Sequence, residues 1–330
     1  MSYRCITELS CNVLLLFSLS LHLHSEVGPK TVLVHYMPWY SSQSVSGSWG
    51  WHWTMNYFNP EKINEDGQRE LASHDYPLIG PYDSNDGQTL ECQVLLMKFS
   101  GIKGVIFDWY GIEDFRDYAM IHRNTKHMIK YIKKAELQFA ICYEDQTVKH
   151  MIASKFLQKQ EDHVHGKKVL QWLDKNWFGD DAYIKLDDQP MLLVFGPQYF
   201  EEKQWNYMVS GLSKRPRIYS LPHVFQQAEM SGVFGWPPVS GGGEIVPAVW
   251  KEYLGQLYTK GLAAEAVIAV AFPGFHDIYN DVGLHESIGY INDRAGKTFI
   301  ETFEYAWNSQ SKFIQIATWN DYGEGTGIEP

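Results

Sequence analysis

Residues 104–111 read GVIFDWYG, a short apolar run that leads directly into Asp108, Trp109 and Tyr110. The β-branched and aromatic residues of this run favour a buried strand, and the polar residues come where that strand would end. Runs of the same kind recur from residue 31 onward, separated by segments with helical periodicity. Because alternating strands and helices are typical of parallel βα units, the chain is predicted to be an α/β protein.

Eight segments share this pattern and are predicted to be strands. They are residues 31–36, 104–108, 139–143, 191–195, 217–220, 232–235, 267–272 and 313–318. Helices are predicted between them at 89–99, 118–134, 167–177, 201–212, 247–260 and 297–309. Eight parallel strands with intervening helices predict a single closed (β/α)8 barrel of the TIM type. The stretch at 41–100 is too long for one short connection, so it is predicted to form an extended loop region after the first strand.

The first two dozen residues differ from the rest of the chain. Arg4 precedes the apolar stretch VLLLFSLSL at 13–21, which has the length of a signal-peptide core and is too short to span a bilayer. Residues 1–24 are therefore predicted to be a secretory signal peptide, with a signal anchor as the alternative, and the protein to be secreted or extracytoplasmic. Residues 25–330 are predicted to form one catalytic domain. A barrel normally packs a helix behind its last strand, which predicts that the natural chain continues past Pro330.

Composition narrows the classes of ligand. The chain has 330 residues, of which 45% are apolar and 15% aromatic, and its formal net charge is −11. Nucleic acids and anionic membranes bind clustered Lys and Arg side chains, so this balance argues against both as partners. A neutral or cationic ligand is favoured. The many aromatic rings suit a cleft that stacks on sugar faces, although any single ring is more often part of a core.

The cysteines and histidines indicate neither a metal nor a cofactor. Cys5 and Cys11 fall within the predicted signal peptide, which leaves Cys92 and Cys142, either paired or free. The chain has no His-Glu-x-x-His pair, no Gly-x-Gly-x-x-Gly fingerprint and no Gly-x-Ser-x-Gly elbow. The sequence therefore predicts no metal and no cofactor, and it disfavours dinucleotide enzymes, kinases and α/β-hydrolases.

Polar and aromatic residues follow six of the predicted strands. They are Tyr40 after the first strand, Asp108, Trp109 and Tyr110 at the second, Glu144 after the third, Trp236 after the sixth, His276 and Asp277 after the seventh, and Trp319, Asn320, Asp321 and Glu324 after the eighth. Active sites of such barrels lie at the carboxyl ends of the strands, so these side chains are predicted to share one rim. Carboxyl groups walled by aromatic rings suit glycoside hydrolysis, in which one carboxyl protonates the leaving oxygen and another activates a nucleophile. Any one of these acids alone could instead cap a helix or lie in a solvated turn.

Several motifs resemble known glycoside hydrolases. WNDYGE at 319–324 resembles the signature of family 71, the α-1,3-glucanases, and EGTGIEP at 324–330 resembles family 99, the endo-α-mannosidases. YMPWY at 36–40, WHW at 51–53, GPYDS at 80–84 and PGFHD at 273–277 also resemble family 99. The resemblance implies an endo-acting glycosidase for an α-linked glycan or polysaccharide, either α-mannan or α-glucan. Its proton donor would be Glu324, with Asp321 as the second catalytic acid.

The same resemblance implies roles for residues elsewhere on the rim. Glu144 and His52 would contact sugar hydroxyls, while Tyr40 and Trp109 would line the floor of the site. Asp108 replaces a small residue of family 99, so it would be an additional polar contact or a local acid.

The chain departs from family 99 inside the catalytic motif itself. Asp321 stands where that family has Glu, and Gly323 stands where it has His. Retention through the sugar 2-hydroxyl, as in family 99, and inversion through water, as in family 71, therefore both stay open. Two alternative functions also stay open: a non-catalytic carbohydrate-binding barrel, and a hydrolase of a different polysaccharide.

Overall fold

A closed barrel of parallel strands forms the centre of the molecule. The computed structural model describes residues 29–224, 230–259 and 266–330. Its strands are β1 (Thr31–Tyr36), β2 (Gly104–Trp109), β3 (Gln138–Tyr143), β4 (Lys185–Leu186), β5 (Gln189–Val194), β6 (Arg217–Ser220), β7 (Gly232–Phe234), β8 (Val267–Ala271) and β9 (Phe313–Ile316). β1 pairs with both β2 and β9, and β3 pairs with β5, which closes the ring, whereas β4 lies antiparallel outside it. The predicted (β/α)8 barrel is confirmed, with all eight predicted strands in place.

The longer helices surround this barrel. The helices are α1 (Gln43–Ser46), α2 (Trp51–Thr54), α3 (Gly87–Phe99), α4 (Tyr118–Lys134), α5 (Gln146–Ala153), α6 (Asp162–Leu173), α7 (Glu202–Val209), α8 (Pro247–Thr259) and α9 (Lys297–Asn308). Helix α4 buries Ile121, Thr125, Met128 and Ile132, which recur every three or four residues and so share one face. All six predicted helices are present. The three that the sequence pattern did not reveal, α1, α2 and α5, are short, with four, four and eight residues.

The barrel contains strands that are buried along their whole length. Every residue of β2 and of β8 is buried, and neither strand alternates between apolar and polar positions along its whole length. Strands that are covered on both sides are expected to be continuous apolar runs. For this reason, Asp108 in β2 is an exception that calls for a functional explanation.

The connection from β1 to β2 forms the predicted extended region on the rim. Its centre is the fully buried indole of Trp53, whose Nε1 donates a hydrogen bond to the carbonyl oxygen of Tyr82 at 2.8 Å. The ring centroids of Trp53 and Tyr40 are 4.1 Å apart. These contacts fix the short helix α2, and with it Trp51 and His52, beside the mouth of the barrel.

Two further expectations concern the chain as a whole. The predicted signal peptide at residues 1–24 lies outside the described residues. Cys92 is an exposed free thiol and Cys142 a buried one, so the two do not pair with each other. Within the described ranges, no helix is both long enough and apolar enough to cross a bilayer.

Asp145 ties the connection after β5 to the end of β3. Its buried carboxylate accepts backbone N–H groups from Gln198 at 2.7 Å, Tyr199 at 3.1 Å and Phe200 at 2.9 Å. Asp145→Ala would leave three donors without this acceptor, at about 1–3 kcal/mol for each that stays buried and unpaired. We therefore expect the free energy of unfolding, measured in urea, to fall by about 3 kcal/mol or more.

Two comparison variants test that interpretation of Asp145. Asn keeps one acceptor oxygen, so Asp145→Asn should lose less stability than Asp145→Ala. Lys149 is exposed on the neighbouring helix α5, and Lys149→Ala should change stability by no more than about 0.5 kcal/mol. Equal losses for Asp145→Ala and Lys149→Ala would contradict the anchoring role.

Candidate active site

Four carboxyl groups meet at the carboxyl ends of the strands. Asp108 belongs to β2, Glu144 follows β3, and Asp321 and Glu324 lie in the loop after β9. Because parallel strands place their carboxyl ends at one rim, residues from three separate strands become neighbours. The side chain of Asp108 interacts electrostatically with all three of the other acids. We call these four residues the acidic cluster.

Burial sets the protonation of the acidic cluster. Desolvation is the largest cause of each shift: it raises the pKa of Glu144 and that of Asp321 to about 7. The pKa values of Asp108 and Glu324 rise well above the usual range, because burial is reinforced by neighbouring carboxylates. Among the described residues, none of the four forms an ion pair with Lys, Arg or His. The cluster therefore keeps protons at neutral pH.

Asp321 and Glu324 differ in what surrounds their carboxyl groups. The backbone N–H of Glu324 donates to Oδ1 of Asp321 at 3.0 Å, and backbone donors of this kind favour the ionised form of Asp321. In contrast, Oε2 of Glu324 is buried without a hydrogen-bond partner. The negative charge of Asp321 further raises the pKa of Glu324, second only to burial. Asp321 is thus the member suited to act as a base, and Glu324 the member suited to hold a proton.

Asn320 attaches the loop after β9 to the segment after β1. Its side chain exchanges two hydrogen bonds with the backbone of Met37, at 2.8 and 3.0 Å, and also donates to Oη of Tyr82 at 2.9 Å. The hydroxyl of Tyr40 donates to the carbonyl oxygen of Asn320 at 2.8 Å and accepts the N–H of Tyr322 at 3.1 Å. The backbone on both sides of Asp321 is therefore held by buried hydrogen bonds.

Glu329 anchors the far end of the same loop. Its carboxylate accepts hydrogen bonds from Gln93 at 2.5 Å, Tyr82 at 2.7 Å and Tyr322 at 3.0 Å. Since Tyr82 contacts both Glu329 and Asn320, the two anchors form one network. A rigid loop is what a catalytic pair needs, because small displacements of reacting groups are costly.

Two cavities meet the acidic cluster at different members. The first, about 520 Å³, is lined by Trp51, His52, Tyr110 and Arg116 and contains Glu144. The second, about 480 Å³, is lined by Phe195, His223, Trp236 and Phe275 and contains Glu324. The first is built by loops after β1, β2 and β3, and the second mainly by loops after β5 to β9, so they occupy different halves of the rim. We call them the Glu144 pocket and the Glu324 pocket.

Besides Glu144 and Glu324, three residues singled out in the sequence lie in these pockets. Tyr110 and His52 line the Glu144 pocket, where the His52 ring stacks on Trp39 with centroids 4.2 Å apart. The Nε2 atom of His52 lies 3.2 Å from Oδ2 of Asp117, a partner that the sequence gave no reason to select. Trp236 lines the Glu324 pocket, where it favours the ionised form of Glu324 and so opposes the rise of its pKa.

Other residues singled out in the sequence lie behind the pocket surface. Tyr40, Asn320 and Trp319 are buried, and Tyr40 and Asn320 hold the loop rather than line a cavity. Trp109 requires a correction, because its indole packs against His122, Trp172 and Trp177 and does not line the floor. Successive side chains of a strand point to opposite faces, so Asp108 and Trp109 cannot both point into the barrel.

His276 and Asp277 lie on two sides of the segment that follows β8. His276 stacks on His74, with ring centroids 3.8 Å apart, and lines a third cavity of about 770 Å³ with Tyr322 and Glu329. Asp277 is buried and its charge contributes to the raised pKa of Glu324. Asp277 therefore adjoins the acidic cluster, whereas His276 faces a separate cavity.

Tyr279 is a residue of the site that the sequence analysis did not select. The charges of Asp321 and Glu324, together with burial as the largest cause, raise its pKa well above the usual range. A Cβ atom at Gly323 would come within 2.8 Å of the Tyr279 hydroxyl. Gly323, at the position where family 99 has His, thus leaves room for the Tyr279 hydroxyl. The position of Tyr279 after β8 was the only signal in the sequence that could have identified it.

Comparisons with known proteins agree with this fold. A family model described as Glycosyltransferase WbsX matches residues 70–224. Two structures of the GH99 endo-alpha-mannosidase from Bacteroides thetaiotaomicron, one in complex with BIS-TRIS-Propane, superpose with a TM-score of 0.63 at 18% identity; they cover 91% of this chain and 86% or 87% of theirs. A structure described as a glycoside hydrolase-like protein has a TM-score of 0.60 at 11% identity and covers 92% of this chain and 88% of its own. No curated protein sequence matches the chain.

These matches agree on the fold of the protein. The chain is a (β/α)8 barrel with buried acids at the carboxyl ends of its strands, and its fold is similar to that of the GH99 endo-alpha-mannosidase structures. The resemblance to family 99 predicted from its motifs is confirmed at the level of the fold.

The raised pKa values predict how stability depends on pH. A carboxyl whose pKa is higher in the folded than in the unfolded protein binds more protons when folded, so the free energy of unfolding falls as pH rises. For Glu144 and Asp321, this fall in the free energy of unfolding takes place between about pH 4, near the ordinary pKa values of the two side chains, and about pH 7. Asp321→Asn keeps the acceptor oxygen but removes the charge. We expect it to be more stable than the wild type at pH 8 by on the order of 4 kcal/mol, with little difference at pH 4.

Urea unfolding at the two pH values measures this effect. Glu286, which is exposed and distant in sequence from the cluster, supplies the control Glu286→Gln. For Glu286→Gln, the difference in free energy of unfolding from the wild type should be the same at pH 4 and pH 8. If the difference for Asp321→Asn is also the same at both pH values, Asp321 is not destabilised by burial.

Proposed function

We propose that the protein is a glycoside hydrolase that cleaves α-linked glycan or polysaccharide, an α-mannan or an α-glucan, with Glu324 as general acid and Asp321 as base. The observation that carries the proposal is the contrast within this pair: a backbone N–H donates to Asp321 and favours its ionised form, while Oε2 of Glu324 is buried without a partner and burial raises the pKa of Glu324. Pairs of acids whose surroundings drive their pKa values apart are typical of acid and base roles.

The proposed reaction follows from these protonation states. Glu324 would donate its proton to the glycosidic oxygen as the bond to the anomeric carbon breaks. Asp321 would remove a proton, either from water or from the sugar 2-hydroxyl, so that the oxygen can attack the anomeric carbon. The negative charge left in the acidic cluster would stabilise the positive charge that develops on the sugar ring.

Glu144 and Asp108 are proposed to bind the sugar beside the broken bond. The side chain of Gln146 donates to Oε2 of Glu144 at 2.6 Å, and Glu144 lines the pocket named after it. Asp108 shares a hydrogen bond with Glu144 and would act as the donor, since its pKa is raised further. A carboxyl pair of this kind can accept and donate hydrogen bonds to sugar hydroxyls.

The two pockets support cleavage within a chain rather than at its end. Each pocket has an aromatic wall, Trp51 and Tyr110 in the Glu144 pocket and Trp236 and Phe275 in the Glu324 pocket. A glycan that occupied both would place a linkage beside the acidic cluster. The structural relatives described as endo-alpha-mannosidase support the same assignment.

We also propose that this reaction takes place outside the cytoplasm, with the barrel acting as one catalytic domain. The support is the apolar stretch at 13–21, preceded by Arg4. Amino-terminal sequencing of the protein recovered from its native host should begin near residue 25. A protein that starts at Met1 and stays in the cytoplasm would contradict secretion.

Glu324→Gln and Asp321→Asn test the proposed catalytic pair. Each removes the acidic function with little change of shape, so turnover should fall by roughly 10²–10⁴-fold, as expected for the loss of a general acid or base. Turnover is followed by chromatography of the products released from a panel of α-mannans, α-glucans and other glycans. Circular dichroism checks that both variants remain folded.

The exposed Glu286→Gln variant should keep full turnover and is the matched control. Near-normal hydrolysis by both active-site variants would contradict the assignment of the pair. Binding of a glycan by the wild type with no turnover on any member of the panel would instead support a carbohydrate-binding barrel. Turnover restricted to glycans outside the α-mannans and α-glucans would support a hydrolase of a different polysaccharide.

Glycosyl transfer is a second candidate, favoured by the description of the matched family model as Glycosyltransferase WbsX. The matched range, 70–224, includes Asp108 and Glu144 but not Asp321 or Glu324. A sugar hydroxyl would then take the place of water as the attacking group. Adding labelled short oligosaccharide acceptors to the same assay discriminates the two reactions, since transfer lengthens the labelled acceptor and hydrolysis leaves it unextended.

Aromatic substitutions test whether both pockets bind the substrate. Stacking on an aromatic ring is worth on the order of 1 kcal/mol, so Trp236→Ala and Tyr110→Ala should each raise the KM of a long oligosaccharide by roughly fivefold or more. A substrate just long enough for one pocket should respond to only one of the two variants. If neither variant affects the KM of any length, glycan does not occupy the pockets as proposed.

A further inference from the structure

A second polar cluster lies inside the barrel. The proposed reaction uses only one of its three members, Asp108. His35 of β1, Asp108 of β2 and Cys142 of β3 each offer one potential ligand atom to this cluster. The imidazole nitrogen, the carboxylate oxygen and the sulfur all lie within 4.8 Å of one another, and all three residues are buried. Three neighbouring strands thus bring three different kinds of metal ligand together.

Several atoms of this cluster lack the partners that buried polar groups normally have. Neither ring nitrogen of His35 has a hydrogen bond, and Oδ1 of Asp108 has none. The side chain of Gln315 in β9 lies beside His35: its nitrogen donates to the carbonyl of Gly235 at 2.6 Å, and its amide oxygen has no partner other than the His35 ring. A buried polar atom without a partner costs about 1–3 kcal/mol, so the unpaired atoms of His35 and Asp108 favour a ligand between them.

We propose that His35, Asp108 and Cys142 bind a divalent transition-metal ion, with Zn²⁺ as the ion that best suits them. An ion at the centre of a triangle with 4.8 Å edges is about 2.8 Å from each corner. Zinc bonds measure about 2.0–2.3 Å, so each ligand atom needs to move by less than about 1 Å. The amide oxygen of Gln315, or a water molecule, completes a tetrahedral shell.

The choice of ion follows from the ligand atoms. A thiolate and an imidazole suit Zn²⁺ and its neighbours in the transition series, whereas Mg²⁺ and Ca²⁺ prefer oxygen ligands alone. On binding, the thiol of Cys142 and the carboxyl group of Asp108 lose their protons to solvent, and the sulfur and a carboxylate oxygen become ligands. Asp108 then accepts the hydrogen bond that it shares with Glu144. An ordered water molecule could satisfy His35 and Asp108 but would gain little from the sulfur.

The position of the ion also answers a problem of charge. Asp108 belongs to both clusters, and the acidic cluster has no basic partner among the described residues. A divalent cation directly behind Asp108 would compensate part of that negative charge. This role is structural and electrostatic, so the site does not depend on the proposed function.

The experiment uses the full chain, purified without added chelator or metal. Elemental analysis by mass spectrometry should find close to one equivalent of zinc. Replacement of zinc by Co²⁺ should produce the near-ultraviolet absorption band of a sulfur-to-cobalt bond. Cys142→Ala should lose the band and at least 90% of the metal, whereas Cys92→Ala, which removes the exposed thiol on α3, should keep both.

Thermal unfolding supplies a second measurement. A variant that merely folds poorly would have a lower unfolding temperature, but that alone would not make the temperature respond to a chelator and to Zn²⁺. A strong chelator should lower the unfolding temperature of the wild type and of Cys92→Ala, and excess Zn²⁺ should restore it. Asp108→Asn, a second ligand variant, should show neither response even if Cys142→Ala does not fold. Wild-type protein that contains less than a tenth of an equivalent of any divalent metal, and that Zn²⁺ and Co²⁺ neither stabilise nor colour, would overturn the proposal.

Discussion

The main constraint on this structure is that four carboxyl groups are buried at the mouth of the barrel. Among the described residues, none of the four has a basic partner. Removing a carboxylate from water is expensive, so such groups shift their pKa and retain protons. The same burial that destabilises the fold near neutral pH keeps Glu324 protonated and lets Asp321 titrate near pH 7. Stability is lost at the place where acid and base chemistry would be gained.

Neighbouring structure must offset this cost and keep the acids in position. Asn320 and Glu329, on either side of Asp321 and Glu324, bind the loop to the segment after β1 and to helix α3 through Met37, Tyr82 and Gln93. These buried hydrogen bonds explain why the last strand is followed by a tightly organised loop. In the proposed metal site, a cation behind Asp108 would offset the charge from the opposite side.

The strands could be predicted because each is covered on both sides and so reads as a continuous apolar run, as β2 and β8 show. The convergence of Asp108, Glu144, Asp321 and Glu324 followed from the parallel topology. The predicted position of Trp109 at the floor of the site was wrong. The side chain of Asp108 points into the barrel, so that of the next residue in β2, Trp109, points outward. Tyr279 and the partners of Cys142 depend on contacts between distant segments, which no local pattern encodes.

Nuclear magnetic resonance of the carboxyl carbons tests the central claim most directly. With Asp and Glu side chains labelled with ¹³C, the wild type should show resonances that titrate near pH 7, and one of them should be absent in Asp321→Asn. The Glu324 resonance should still report a protonated carboxyl at that pH. If every carboxyl of the folded protein titrates at or below about pH 5, near the ordinary values of Asp and Glu, the acids are solvated and the account of this site is wrong.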